Sequence, residues 1–153
     1  MDTVAFTTGI GAALIAGTFL AFSSFIMAAL ARLPPPAGIA AMQAINITVI
    51  NPLFMAVLFG TAALAGWLAA RGFMQMNDRQ VLMQGCGGAV YVLGVIGVTM
   101  ACNVPLNTAL AAANPASAEG AAFWASYLKD WTFWNHLRGL MALLAAGLIL
   151  AGR

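Results

Sequence analysis

Four long apolar stretches, separated by short polar punctuation, make up almost the whole chain. The first runs from about Val4 to Ala31. It ends at Arg32 and at Leu33-Pro34-Pro35-Pro36, because consecutive prolines cannot continue a helix. The second starts near Gly38 and reaches about Ala70, with Pro52 predicted to kink it. A polar turn from Arg71 to Arg79, with Asn77 and Asp78 as turn formers, leads to the third stretch, about Val81 to Ala113. The fourth covers about Thr132 to Ala151. Each has the ~20 apolar residues that cross a hydrocarbon core of roughly 30 Å. Before the fourth, Asn114-Pro115 favours a turn, and Ser117-Ala118-Glu119 caps a short helix carrying Phe123, Trp124 and Tyr127. Such aromatics suit a headgroup boundary. The pattern predicts an all-α fold: one domain over residues 1–153, an integral membrane four-helix bundle with a short interfacial helix before the last span.

Small residues recur along two of these stretches. Gly9, Ala13, Gly17 and Ala21 fall every fourth residue, and Gly85, Gly88, Gly94 and Gly97 thin the third span. Both patterns suit close helix contact, within the chain or between chains.

Composition sharpens the picture. Hydrophobic residues are 63% of the chain and charged ones 7%, where a soluble domain carries about 25% charged. A net charge of +2, scattered along the chain, excludes a nucleic-acid surface. The N-terminus has no basic region and its apolar run outlasts a signal-peptide core, so it is expected to be a mature helix. Cys86 and Cys102 sit inside apolar runs as packing residues. No CxxC, Walker or GxGxxG motif occurs. Four spans put both termini on one side with Arg71, Arg79 and Arg153, against Arg32 and Lys129 on the other. That balance leans to cytoplasmic termini in an inner (plasma) membrane of bacterial type.

The topology also gathers polarity at one end. Arg32, the entering half of the second span (Gln43, Asn46, Asn51), the leaving half of the third (Asn103, Asn107) and the start of the fourth (Trp131 to Arg138) all fall there. In the fourth span Trp131, Asn135 and Arg138 form one stripe, with Thr132 and the lone histidine, His136, on the next. Both stripes can face a central cavity about 100° wide. Intramembrane ionisable residues point to function. The plainer readings are that the amides link helices, that Arg32 snorkels, that Trp124, Trp131 and Trp134 anchor the interface, and that the methionines fill the core.

Several motifs in order are similar to those of one family. They are Gly17-Thr-Phe-Leu-Ala-Phe-Ser-Ser-Phe-Ile-Met27, Leu33-Pro-Pro-Pro-Ala-Gly-Ile-Ala-Ala-Met-Gln-Ala-Ile-Asn46, Asn51-Pro-Leu-Phe-Met55, Asn103-Val-Pro-Leu-Asn107 and Trp131-Thr-Phe-Trp-Asn-His-Leu-Arg138. The chain resembles the anthrone-oxygenase-like family of small four-helix membrane proteins over nearly its whole length. The resemblance implies interest in Gln43, Asn46, Asn51, Asn103, Asn107, Trp134, Asn135, His136 and Arg138. It also implies oxidation of polyketide anthrones to anthraquinones without metal or flavin.

Three functional readings follow. In the first, the protein is an oxygenase or oxidase for an anthrone- or quinol-like lipophilic aromatic. His136, uncharged, acts as general base; Arg138 with the asparagines stabilises an enolate oxygen; and Trp131, Trp134 and Phe22 hold the ring. No cofactor is then needed. In the second, His136 ligates haem or copper, with Met27, Met42 or Met55 opposite. In the third, the chain is non-catalytic and carries a lipophile or helps assemble a larger membrane complex. The bilayer is the expected surrounding in all three, with homo-oligomer formation as a further reading of the small-residue faces.

Overall fold

The computed structural model describes residues 2–152. It is built from five helices: α1 (Thr3–Leu30), α2 (Pro35–Thr48), α3 (Pro52–Met74), α4 (Arg79–Ala112) and α5 (Ala118–Ala151). α1, α3, α4 and α5 are each long and apolar enough to cross a membrane. Each start carries its own signal. Asp2 caps α1, its side chain accepting from the Val4 amide at 3.0 Å. Asn51 caps α3, accepting from the Phe54 amide at 3.0 Å with Pro52 just inside. Asp78 and Ser117 cap α4 and α5. Such side chains satisfy amides that the first helical turn leaves unpaired.

Two boundaries differ from the sequence expectation. The second stretch is not one kinked span from 38 to 70. It is a short helix, a break at 49–51, and a separate 23-residue span. Asn followed by Pro is a helix-start signature, and here the chain restarts instead of bending. The short helix expected before the last span is not separate either. Residues 118–131 are the first turns of α5, which runs 34 residues, about 51 Å at 1.5 Å per residue.

The spans pack in the ring α1–α5–α4–α3, with α3 closing on α1. Glycine permits close contact between α3 and α4: Gly72 and Gly85 face each other so closely that a Cβ on Gly72 would lie 2.6 Å from the Gly85 Cα. The Asp2–Arg71 ion pair and the bond from Gln84 Nε2 to the Gly152 carbonyl, 2.6 Å, put both chain ends beside the 75–78 turn. Arg71 and Arg79 lie at that end; Arg153, part of the sequence argument for sidedness, is outside the described residues. α2 covers the opposite end, where Gln43 Nε2 donates to the Leu110 and Ala113 carbonyls and so closes the end of α4.

Buried apolar side chains form one cluster in mid-bundle, around Ile15, Phe19, Leu58, Tyr91, Val95 and Ala145. A second lies beneath α2, around Met27, Ile39, Met42, Leu110, Trp124, Tyr127 and Trp131. Three stretches widen into π-helix: Phe22–Ile26 in α1, and Tyr91–Gly97 and Thr99–Asn103 in α4. π-turns recur at functional sites.

Candidate functional site

A cavity of about 230 Å³ lies where the two apolar clusters meet. Phe19 and Leu58 of the first cluster and Met42 and Trp131 of the second line it, together with Phe22, Asn46, Thr99, Asn107 and Arg138. Ile50, Phe59, Met100 and Val104 also line it and are themselves exposed, so the cavity is reached sideways, between the α2–α3 break, α3 and α4. An apolar, aromatic-walled space with a few convergent polar groups is the usual form of a small-molecule site. At this size it holds a compact ligand, or part of a longer one.

Arg138 is the charge in that wall, 7% exposed. Its Nε and Nη2 both donate to Asn135 Oδ1, at 3.1 and 2.9 Å, and its Nη1 donates to Thr99 Oγ1 at 3.2 Å. The guanidinium carbon lies 4.2 Å from the Phe19 ring centre and 5.0 Å from that of Trp131. Among the described residues the one ion pair is Asp2–Arg71, at the other end of the bundle, so no carboxylate neutralises Arg138. A guanidinium has five N–H donors, and the three bonds leave two without an acceptor among the described residues.

Two asparagines complete the polar wall. Asn107 Oδ1 accepts from Tyr127 Oη and from Trp131 Nε1, both at 2.8 Å, which locks the Trp131 ring at the cavity. Phe22 packs on Trp131 with ring centres 5.4 Å apart. Asn46 Nδ2 is buried with no hydrogen-bond partner among the described residues. An unpaired buried donor costs about 1–3 kcal/mol, so both it and the spare guanidinium N–H groups favour an oxygen acceptor.

His136 is not in this cavity. The 127–131–135–138 stripe of α5 turns inward, and His136, one position and about 100° on from Asn135, turns out and is exposed. It lines a separate, wider groove of about 570 Å³ between α1 and α5, with Ala13, Gly17, Ser23, Gly139 and Leu143. Its Nδ1 lies 2.6 Å from Ser23 Oγ. Asn135 Nδ2 donates both to Ser23 Oγ, 2.7 Å, and to the Phe19 carbonyl, 2.8 Å. The π-turns Phe22–Ile26 of α1 and Thr99–Asn103 of α4 carry Ser23 and Thr99, so two of the three widened stretches present a hydroxyl to the network centred on Asn135 and Arg138.

Of the residues singled out from the sequence, Asn46, Asn107, Trp131, Phe22 and Arg138 line the cavity. The others have different places. Gln43 closes the end of α4, and Asn51 caps α3 while its Nδ2 donates to the Thr48 carbonyl at 3.1 Å. Asn103 is fully buried, donates to the Trp131 carbonyl at 3.2 Å and keeps an unpaired Oδ1. Trp134 packs edge-on against Phe133 and lines neither space. Asn135, fully buried, positions Arg138 and does not line the cavity. Met42 and Met55 line the cavity and Met27 is buried beneath α2; none of the three lines the groove that holds His136. Among the described residues no three His, Cys, Asp or Glu side chains cluster as a metal site.

Sequence reasoning missed Ser23, Thr99 and Phe19. The two hydroxyls are ordinary helix residues by pattern, and only the π-turns bring them into the network. Phe19 had a signal, lying three residues before Phe22.

No curated protein and no solved structure matches the chain. Residues 46–148, two thirds of its length, match the family model described as anthrone oxygenase. Asn46, Asn107, Trp131 and Arg138, four of the groups that build the cavity, lie inside that match, and the chain belongs to the anthrone oxygenase family.

Proposed function

We propose that the protein oxygenates a lipophilic aromatic compound, of anthrone or quinol type, held in the inner cavity as its enolate or phenolate. The observation that carries this reading is Arg138: a buried guanidinium without a carboxylate partner, facing an aromatic-walled cavity with N–H donors to spare. A buried charge is normally paired. Here the ligand's own oxyanion is the counter-ion. Asn46, whose Nδ2 has no hydrogen-bond partner among the described residues, lines the same cavity and offers a second donor. Trp131 and Phe22 offer ring faces to the flat body.

Such a site acts by electrostatic stabilisation. An anthrone and its phenol tautomer share one anion, and a cation beside the oxygen favours that anion over either neutral form. His136 faces the other groove, so the proton leaves to solvent at the cavity mouth, beside the α2–α3 break. The electron-rich ring carbon of the anion can then meet O2 directly. Net, a ring methylene and O2 give a carbonyl and water: one oxygen atom enters the product, and the other leaves with both methylene hydrogens.

The test is anthrone-dependent O2 uptake and quinone formation by the protein in lipid vesicles, beside equilibrium binding of a hydroxyanthracene. Turnover that needs Arg138 supports oxygenation. Binding without O2 uptake assigns the cavity to carriage of the lipophile, and failure to bind removes both readings.

A further inference from the structure

The outer groove poses a separate problem. Exposed Lys129 and Asp130 lie six to seven residues before His136 on α5, so the imidazole sits about 10 Å deeper than those charges. Ionisable side chains at that depth face a bundle interior or a wet cavity. His136 instead faces outward, and its Nε2 has no partner among the described residues. Something outside the protein must meet that nitrogen.

Its hydrogen-bond sense is fixed from inside. A guanidinium only donates, and Arg138 directs two N–H groups at Asn135 Oδ1. That orients the amide, so Nδ2 is the atom donating to Ser23 Oγ. The Phe19 carbonyl, four residues back, is the usual acceptor for a helical serine at position 23, and it already takes the Asn135 amide. The Ser23 hydroxyl proton is left with His136 Nδ1, 2.6 Å away. A neutral ring accepting at Nδ1 carries its proton on Nε2. The groove therefore presents an N–H donor set in apolar walls.

We infer that the outer groove binds a lipid-soluble molecule through a carbonyl oxygen, which accepts from His136 Nε2 while the apolar body lies along Gly17, Gly139, Leu140 and Leu143. The groove's 570 Å³ falls in the ~300–1,000 Å³ range of small-molecule sites. Gly17 keeps it deep, since a Cβ there would meet nothing within 4 Å. A second copy of the chain is a poorer occupant, because the large exposed side chains of its spans are apolar, Leu14, Leu20, Phe59, Leu93 and Leu144 among them, and bring no oxygen to that nitrogen. Carbonyl lipophiles have two sources, quinones and the acyl esters of lipids.

The lone imidazole is a clean reporter. Its rate of acylation by diethylpyrocarbonate would be followed in detergent micelles with no addition, decyl-benzoquinone, a diacylglycerol or decylbenzene. We expect about tenfold protection by the quinone, the ester or both, which identifies the source, and none by decylbenzene, which lacks a carbonyl. Gly17→Leu, filling open space, should abolish the effect of the carbonyl probes. Nitrogen NMR of the labelled imidazole should show the proton on Nε2 in the native protein and a mixture of tautomers in Ser23→Ala. Equal protection by decylbenzene, no protection by either carbonyl probe, protection that grows with protein concentration alone, or a proton on Nδ1 would overturn the inference. None of these readouts depends on turnover in the inner cavity.

Discussion

Replacing Arg138 by methionine separates the charge of the inner cavity from the stability of the fold. The variant loses two hydrogen bonds to Asn135 Oδ1, one to Thr99 Oγ1, and the ring contacts with Phe19 and Trp131. An unpaired, fully buried Asn135 oxygen costs about 1–3 kcal/mol, and desolvated cation–π contacts contribute up to about 2 kcal/mol. Against these losses, the desolvation penalty of a buried cation disappears, and that is several kcal/mol. The opposing effects are of similar size, so unfolding in detergent should move by no more than about 2 kcal/mol in either direction. Stabilisation of a bound oxyanion has no such offset. At about 4 Å and an effective dielectric near 20, the guanidinium attracts it by about 4 kcal/mol, close to a thousandfold in turnover. The assay pairs thermal unfolding by circular dichroism with anthrone-dependent O2 uptake in vesicles. A well-folded Arg138→Met protein with less than about 1% of native turnover is the expected result. Native turnover in that variant, or a loss that only tracks unfolding, refutes the assignment of Arg138 to the oxyanion.

Asn107→Leu strips acceptors from the Tyr127 hydroxyl and the Trp131 indole at once, so at about 1–3 kcal/mol for each orphaned group it should lower unfolding stability and broaden Trp131 fluorescence. Gly85→Ala drives a methyl against the Gly72 Cα, and overpacking of about 1–3 kcal/mol should lower the melting temperature in micelles; an unchanged value would contradict the close α3–α4 approach. Partial burial pushes the Asp2 carboxyl up, but its hydrogen bonds to Arg71 and to the Ala5 and Val4 amides outweigh this and hold it below the ordinary carboxylate range. Its contribution is therefore complete above about pH 4 and lost as pH falls through the lowered native value. Asp2→Asn should flatten that acid limb in a pH-resolved unfolding series.

The four spans and the crowding of polar side chains at one end were legible in the sequence, because run length and the positions of amides along a helix survive any rotation of it. Rotation itself was not legible. Below Arg138, α5 is apolar on every face, so nothing in the pattern says that Asn135 turns in and His136 turns out; packing against α1 decides it. The Asn51-Pro52 restart was present as a cap signature but was outweighed by the length of the apolar run. The π-turns that carry Ser23 and Thr99 have no signature of residue type, so the bonds of these hydroxyls to Asn135 and Arg138 were not legible either.

α3 is 23 residues long, while α4 and α5 each have 34. The bundle thus has a low side, about 35 Å tall beside neighbours of about 51 Å at 1.5 Å per residue. That height still exceeds a hydrocarbon core of roughly 30 Å, so the extra turns of α4 and α5 stand beyond the apolar layer, where α2 covers them. The α2–α3 break, and with it the doorway of the inner cavity, therefore lies near headgroup level, and a ligand dissolved in the bilayer has a short passage from there to the Arg138 guanidinium.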